Sequence, residues 1–288
     1  MPSLAVDGHF LRSLAAMGAQ RLPPWWVRYT PAVIGAMAAA LVPTQRRRVL
    51  RNLRQIQGEY GPLREARDVT HTFASYAGCL AEILATGSKN AGAPDVVLVG
   101  RKHLDFAAAK KKGILVATIH SGGWELVGPL LASYRKSELV MVMEGERDEK
   151  ARELQDDARR KSGLSVAHVG DDPLSSLPLL RHLRDGNTVA LQVDRVPEGM
   201  RSVPVTMFGR PFRMPVGPFR LAQVSGAPVV PIFSARRGYR KYVVQASQAI
   251  EIERRADDAA VARAAQTVAD AITVFLREHP TQWFHFAD

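Results

Sequence analysis

His120 and Glu125 are the residues whose types and spacing point most directly to chemistry. The segment ILVATIHSGGWEL, residues 114–126, begins as an apolar strand and then passes through His120 and a glycine pair to Glu125. An imidazole titrates near neutral pH, and a carboxylate that fixes its tautomer makes it a general base. The two side chains would diverge on a continuous helix but can converge across a tight turn. We interpret them as a base and its orienting partner; a structural histidine that caps a strand is the alternative.

The turn after His120 carries features of a substrate site. Gly122 and Gly123 let the backbone approach a substrate closely, and ELVGPLLASY, residues 125–134, begins a helix. The N–H groups at a helix start favour negative charge, including that of an oxyanion. The chain lacks a GxSxG elbow, and Cys79 lies inside a helical pattern, so neither a serine nor a cysteine stands out as a nucleophile. The base would therefore activate a hydroxyl group that the substrate supplies.

From about residue 94 the sequence alternates between strand and helix patterns. Strand-like runs lie at 96–99, 114–119, 139–143, 164–169, 188–193, 228–233 and 242–246. Helical patterns lie near 101–112, 124–134, 148–162, 174–185, 216–225 and 256–278. Continuous apolar strands that alternate with helices predict an α/β fold with a mainly parallel central sheet flanked by helices. Ligands bind beyond the carboxyl ends of such strands, which is where His120 stands.

Helical signals dominate residues 10–86. We expect residues 1–90 to form a helical, membrane-facing extension, continuous with one α/β domain over residues 91–288. One predicted helix carries a cluster of arginines, for which a solvated face is the alternative: Arg46, Arg47, Arg48, Arg51 and Arg54. The apolar stretch 29–43 has 15 residues, fewer than the roughly 20 that span a bilayer. A helix that lies on a membrane or dips into it is compatible with this stretch.

The composition favours an anionic partner and a reducing compartment. The chain has 288 residues, with 39 Lys and Arg against 28 Asp and Glu, which gives a formal net charge of +11. Such an excess favours nucleic acid, an anionic membrane or an acidic carrier as partner. Cys79 is the only cysteine, which excludes an intrachain disulfide and a cluster of thiolate metal ligands.

Four segments, in chain order, resemble the motifs of one enzyme family. HSGGWE, residues 120–125, resembles the H-x4-D/E signature of the glycerolipid and lysophospholipid acyltransferase superfamily. RRVLRNL (47–53), the block 192–233 and PTQWFHF (280–286) are similar to segments of one branch. That branch contains the bacterial lipid A late (lauroyl and myristoyl) acyltransferases and the phosphatidylinositol mannoside acyltransferase. It typically has asparagine where this chain has Gly123, and the resemblance covers about residues 45–286.

The resemblance implies transfer of an acyl chain from a thioester, acyl-ACP or acyl-CoA, to a hydroxyl group of a lipid or glycolipid acceptor. It assigns His120 as the general base, Glu125 as its partner and Asp194 as a further acidic active-site residue. A helix cap or loop carboxylate is the alternative for Asp194. The candidate substrate-binding residues are Ser121, Gly122, Arg159, Arg195 and Arg201. Arg160 competes with Arg159 for its role, and a solvated loop explains the EGMR segment of Arg201 equally well. Neither a metal nor a cofactor beyond the acyl donor is expected.

The expected partners are an anionic membrane surface, the acyl donor and the lipid acceptor. We expect a peripheral or monotopic protein on the cytoplasmic side of the bacterial inner membrane. A nucleic-acid binder would need aromatic stacking platforms or a recognisable motif, and aromatic residues are only 7% of the chain. We therefore expect no nucleic acid. A hydrolase of esters or thioesters on the same fold, with water in place of the alcohol, stays open, as does a scaffold role.

Overall fold

A seven-stranded sheet forms the centre of the molecule. The structure is a computed structural model, and it describes residues 17–86, 88, 92–143, 165–168 and 176–286. The sheet strands are β1 (Asp95–Val99), β2 (Ile114–Thr118), β3 (Leu139–Met143), β4 (Ser165–His168), β5 (Thr188–Gln192), β8 (Val229–Gly238) and β9 (Lys241–Ala246). Their order is β1-β9-β8-β2-β5-β3-β4.

The central strands run parallel, as their apolar sequences predict. β8, β2, β5, β3 and β4 share one direction, and β9 pairs antiparallel with β8. Every residue of β2 is buried, which is typical of a parallel strand that helices cover on both faces. The predicted fold class, α/β with a mainly parallel sheet, is confirmed.

Five helices of the α/β part match predicted helical patterns. They are α4 (Arg101–Ala109), α5 (Trp124–Arg135), α6 (Leu177–Arg184), α7 (Gly217–Ser225) and α8 (Asp258–Glu278). The helix predicted over 148–162 lies outside the described residues. Within the described part of the chain, α8 alone is long and apolar enough to cross a membrane. However, Val268, Ile272 and Phe275 of α8 are fully buried in the protein core, so this helix packs as a core helix.

The helices α1 (Pro24–Leu41), α2 (Pro43–Gln57) and α3 (Pro62–Leu84) lie before the sheet in the chain. Each begins with proline, which lacks the N–H that a first helical position leaves unbonded. Helix α1 packs on α3 through a face of small or compact residues. At Gly35 a Cβ atom would lie 2.5 Å from the backbone of Ala74, so only glycine permits this close helix approach.

A buried ion pair fixes α3 to the sheet. Glu82 is fully buried and accepts hydrogen bonds from Nε and Nη2 of Arg236 on β8, at 2.9 and 2.6 Å. The hydroxyl of Tyr242 on β9 and the backbone N–H of Arg240 donate to the other carboxylate oxygen. A buried charge needs such partners, because an unpaired one is costly. The N-terminal helices are thus tied to the sheet, while the predicted domain boundary near residue 90 stays a prediction.

A two-stranded hairpin lies where the sequence analysis predicts no strands. β6 (Ser202–Met207) and β7 (Arg210–Pro215) pair antiparallel across the two-residue turn Phe208–Gly209. Both turn residues have positive φ angles, 52° and 72°, as a type I′ turn requires. The side-chain amide of Gln266 on α8 bonds the N–H and the C=O of Thr206, which docks the hairpin on this helix.

Candidate active site

Strand register brings His120 and Asp194 together. β2 and β5 are parallel neighbours, and Thr118 pairs with Gln192 at their carboxyl ends. Two residues further along each strand direction, His120 and Asp194 therefore stand side by side. The carboxyl edge of a parallel sheet is the place where open α/β folds bind ligands.

Asp194 holds the imidazole of His120 at Nδ1. The distance from Nδ1 to Oδ1 is 2.8 Å, and the backbone N–H of His120 reaches both carboxylate oxygens at 3.2 Å. A carboxylate can only accept at this position, so Nδ1 carries a proton, and in the neutral imidazole the lone pair lies on Nε2. Asp194 is fully buried, whereas the side chain of His120 is 27% exposed. The imidazole is thus oriented by a buried carboxylate and is itself accessible to solvent.

The carboxylate of Asp194 is charged in spite of its burial. Burial alone would raise the pKa of Asp194, but the charge and hydrogen bond of His120, the charge of His285 and the indole N–H of Trp283 hold this pKa well below its usual range. Trp283 donates from Nε1 to Oδ2 at 2.9 Å. Charge-assisted hydrogen bonds of this kind stabilise the ionised form of a buried acid.

The glycine turn after His120 is packed on all sides. A Cβ atom at Gly122 would lie 2.5 Å from the backbone nitrogen of Arg236 and 2.6 Å from Oε1 of Gln282. Gly123 has a φ angle of +67°, and a Cβ atom there would lie 2.3 Å from the ring of Tyr242. Both glycines are thus required by close contacts. The turn leads into α5, which begins at Trp124, four residues after His120.

Glu125 lies in the first turn of α5 and is half-buried. The contact that sets the tautomer at Nδ1 is made by Asp194, which the sequence analysis assigns as a second acidic residue of the site. The contribution of Glu125 to the orientation of His120 stays a prediction.

The remaining predicted binding residues differ in their burial and in their position in the fold. Ser121 is buried, and its hydroxyl has no hydrogen-bond partner in the described part of the chain. Arg195 follows Asp194 directly. Burial lowers the pKa of His285 and the charge of Arg195 lowers it further, while the charge of Asp194 raises it. Arg201 is exposed at the foot of the hairpin. Arg159 lies outside the described residues.

The C-terminal segment, residues 282–286, contacts both His120 and Asp194. The sequence does not predict this role. The backbone N–H of Phe284 donates to the carbonyl of His120 at 2.7 Å, and the segment also carries Trp283. Helix α2 holds this segment, because Asn52 donates to the carbonyl of His285 at 2.8 Å and Arg48 to that of Phe286 at 2.9 Å. The motifs RRVLRNL and PTQWFHF contain these residues, but their mutual contact spans over two hundred positions of sequence.

The chain belongs to the bacterial lipid A biosynthesis acyltransferase family, whose family model matches residues 3–288. The family that four sequence motifs predict is thereby confirmed.

Individual relatives carry names from the same branch. Phosphatidylinositol mannoside acyltransferase from two strains of Mycobacterium tuberculosis, CDC 1551 / Oshkosh and ATCC 25618 / H37Rv, is 31% identical over 191 residues. The match covers 66% of this chain and 58% of those relatives, less than two thirds of their length. Among solved structures, the crystal structure of the 1-acyl-sn-glycerophosphate (LPA) acyltransferase PlsC from Thermotoga maritima gives a TM-score of 0.43 at 11% identity, over 95% of this chain and 98% of that chain.

Proposed function

We propose that the protein transfers a fatty acyl chain from an acyl thioester to a hydroxyl group of a lipid or glycolipid acceptor. The observation that carries this proposal is the pair His120–Asp194 at the carboxyl edge of the sheet, in a chain of a lipid acyltransferase family. A hydroxyl nucleophile needs a base that is oriented and reachable, and His120 meets both conditions.

The chemistry follows from the orientation of the imidazole. Nε2 of His120 takes the proton of the acceptor hydroxyl, and the oxygen attacks the thioester carbonyl. The N–H groups at the start of α5 stabilise the oxyanion that forms. The intermediate then collapses to an ester and a thiolate, and the imidazolium returns its proton to the thiolate, so an ester and a thiol leave. Asp194 stabilises the imidazolium during the transfer, as the buried carboxylate does in hydrolase triads.

Further residues complete the proposed site. Ser121 offers a buried hydroxyl next to the base, and Gly122 keeps the turn between base and helix compact. Arg195 and Arg201 supply positive charge for phosphate groups, which acyl-CoA, acyl carrier protein and phospholipids all contain. Glu125 would contribute to the same site from the first turn of α5.

Helix α1 presents a membrane-binding face in this proposal. An i, i+4 row of large apolar side chains points away from the protein: Trp25, Tyr29, Val33, Met37 and Leu41, which are 57, 58, 62, 57 and 71% exposed. The opposite face, which includes Gly35, packs on α3. A contiguous exposed apolar face on a soluble surface marks a binding site, and tryptophan and tyrosine prefer the lipid–water interface.

The neighbouring helix α2 adds positive charge. Arg46, Arg47 and Arg51 are exposed. Arg54, in contrast, forms a bidentate hydrogen-bonded pair with Glu65. Apolar and basic residues together fit an anionic membrane, to which each Lys or Arg contributes about 1 kcal/mol. We place the protein peripherally on the cytoplasmic side of the bacterial inner membrane, where acyl thioesters are available.

Mass spectrometry of cellular lipids tests the proposed function. Cells that express the wild type should contain a lipid whose mass is greater by one acyl group than in cells that express His120→Ala. The acceptor and the acyl chain are identified by the same spectrum. Release of free fatty acid without any acylated product would instead show a hydrolase.

A further inference from the structure

We infer that Trp283 is a positioning residue for the proposed reaction: its indole N–H, bound to Asp194, fixes the carboxylate that orients His120. This inference rests on the proposed function for its kinetic consequence and on geometry alone for its structural one. The indole N–H of Trp283 bonds Asp194, so it acts on His120 through that carboxylate.

The geometry gives the two oxygens of Asp194 separate tasks. Oδ1 accepts from Nδ1 of His120 at 2.8 Å, and Oδ2 accepts from Nε1 of Trp283 at 2.9 Å. Without Trp283, Oδ2 would keep only the backbone N–H of His120, which lies at 3.2 Å and is shared with Oδ1. A donor on the second oxygen fixes the plane of the group and therefore the direction in which Oδ1 meets the imidazole.

The indole is itself held from three directions. Its ring is 3% exposed and packs against Phe208 and Phe212 of the hairpin, with centroid distances of 6.2 and 6.4 Å. The ring of His285 lies 5.2 Å from it on another side. The backbone of Trp283 forms a bridge with Ser121, the residue after the base. Such packing leaves the indole one orientation, in which the N–H points at Oδ2.

The preceding residue anchors the same segment. Gln282 accepts from the backbone N–H of Arg236 at 2.9 Å and donates to Ser75 on α3 at 3.2 Å. Helix, sheet and C-terminal segment thus hold Trp283 against the site. The anchored segment therefore keeps the indole N–H aligned on Oδ2 of Asp194.

Trp283→Phe is the test, because it keeps an aromatic ring and removes the N–H donor. The titratable and charged groups around Asp194 are His120, His285 and, near His285, Arg195. Loss of the donor raises the pKa of Asp194. A more basic carboxylate holds the imidazolium more tightly, so the acid limb of the pH–rate profile should move to higher pH. We expect kcat to fall about tenfold to a hundredfold, the effect of one hydrogen bond to a charged group, with little change in KM.

A matched control separates positioning from packing. Phe212→Leu disturbs the contact with the indole ring but keeps the N–H, so it should lower the melting temperature without a shift of the acid limb. ¹⁵N NMR of histidine-labelled protein gives a readout that needs no activity. His120, assigned from the spectrum of His120→Ala, should carry its proton on Nδ1 in the wild type and populate both tautomers in Trp283→Phe.

The outcomes are distinguishable. An unchanged acid limb and an unchanged tautomer in Trp283→Phe would overturn the inference. A wild type that transfers no acyl group would contradict the proposed function, while the NMR comparison would still decide the role of Trp283.

Discussion

Three N–H groups converge on Asp194, and their number explains how a fully buried carboxylate stays charged. They come from the ring and backbone of His120 and from Trp283. The sequence places His120 and Asp194 at the ends of two apolar strands, and this much of the site was predictable. Trp283 was not, because its role depends on a contact between residues 89 positions apart, and periodicity carries no information about such contacts.

Substitution of Asp194 should lower kcat more than substitution of Glu125. Asp194→Asn removes the charge that stabilises the imidazolium and the acceptor that fixes its tautomer, so we expect kcat to fall about 100- to 10,000-fold. Glu125→Gln should cost less, because the Nδ1 contact survives in it. The measurement is the steady-state rate of each purified variant across pH. An equal or greater loss in Glu125→Gln would make Glu125 the principal partner of the base.

The same carboxylate predicts a pH dependence of stability. The pKa of Asp194 is lower in the folded protein than its ordinary value of 3.8. Its contribution to the free energy of unfolding is therefore complete above that value and is lost as the pH falls from there towards the folded pKa. In urea unfolding, the difference in free energy of unfolding between the wild type and Asp194→Asn should fall by about 1 kcal/mol between about pH 5 and pH 3. A constant advantage across this range would contradict the low pKa.

At the scale of elements, the strands of the parallel sheet were predictable and the hairpin was not. Continuous apolar runs mark β2 and β5 because both faces of each strand are covered. In β6 and β7, prolines and arginines interrupt the apolar positions, and only alternate residues of β6 are buried. The hairpin nevertheless matters to the site, since its turn places Phe208 against Trp283. The antiparallel direction of β9 follows from its two-residue connection to β8, which makes the two strands a hairpin.

Gly123 should not tolerate replacement by asparagine. Asparagine accepts a positive φ angle more readily than most residues, but its Cβ would lie 2.3 Å from the ring of Tyr242. We expect Gly123→Asn to lower the free energy of unfolding by about 1–3 kcal/mol, the range for overpacking. Gly209→Asn is the matched control, because Gly209 also has a positive φ angle but a Cβ atom there would meet nothing within 4 Å. Equal effects of both substitutions on denaturant unfolding would show that the Tyr242 contact is unimportant.

At the scale of the whole molecule, the N-terminal helices α2 and α3 bond the C-terminal segment that carries Trp283. Helix α2 both carries exposed arginines and holds the C-terminal segment through Asn52 and Arg48. In the predicted arginine cluster, Arg48 and Arg54 therefore bond other parts of the protein, whereas Arg46, Arg47 and Arg51 are exposed. The helical character of this region was predictable from sequence. The i, i+4 row on α1 became recognisable only once the structure showed that its opposite face packs on α3.

Membrane attachment should depend on α1 and on the outward arginines of α2. Replacing Arg46, Arg47 and Arg51 by Gln should weaken binding to vesicles that contain anionic lipid more than tenfold, at about 1 kcal/mol for each charge. Replacing the α1 residues Trp25, Tyr29, Val33 and Met37 by Ser should weaken binding to neutral vesicles as well. The control removes three exposed charges elsewhere, at Lys111, Arg254 and Arg255. Sedimentation at low salt is the measurement, and equal losses in control and test variants would show a non-specific charge effect.

Single-turnover acyl transfer tests whether His120 is the base. Purified wild type and His120→Ala are mixed with a radiolabelled acyl thioester and the acceptor lipid that mass spectrometry identifies. His103→Ala, on α4 away from the site, controls for loss of a histidine. We predict that His120→Ala slows ester formation about 100- to 10,000-fold, while His103→Ala matches the wild type. His120→Ala should still fold but unfold at a lower temperature, because the buried Asp194 loses its donor at Oδ1. Ester formation by His120→Ala at the rate of the wild type would contradict the account.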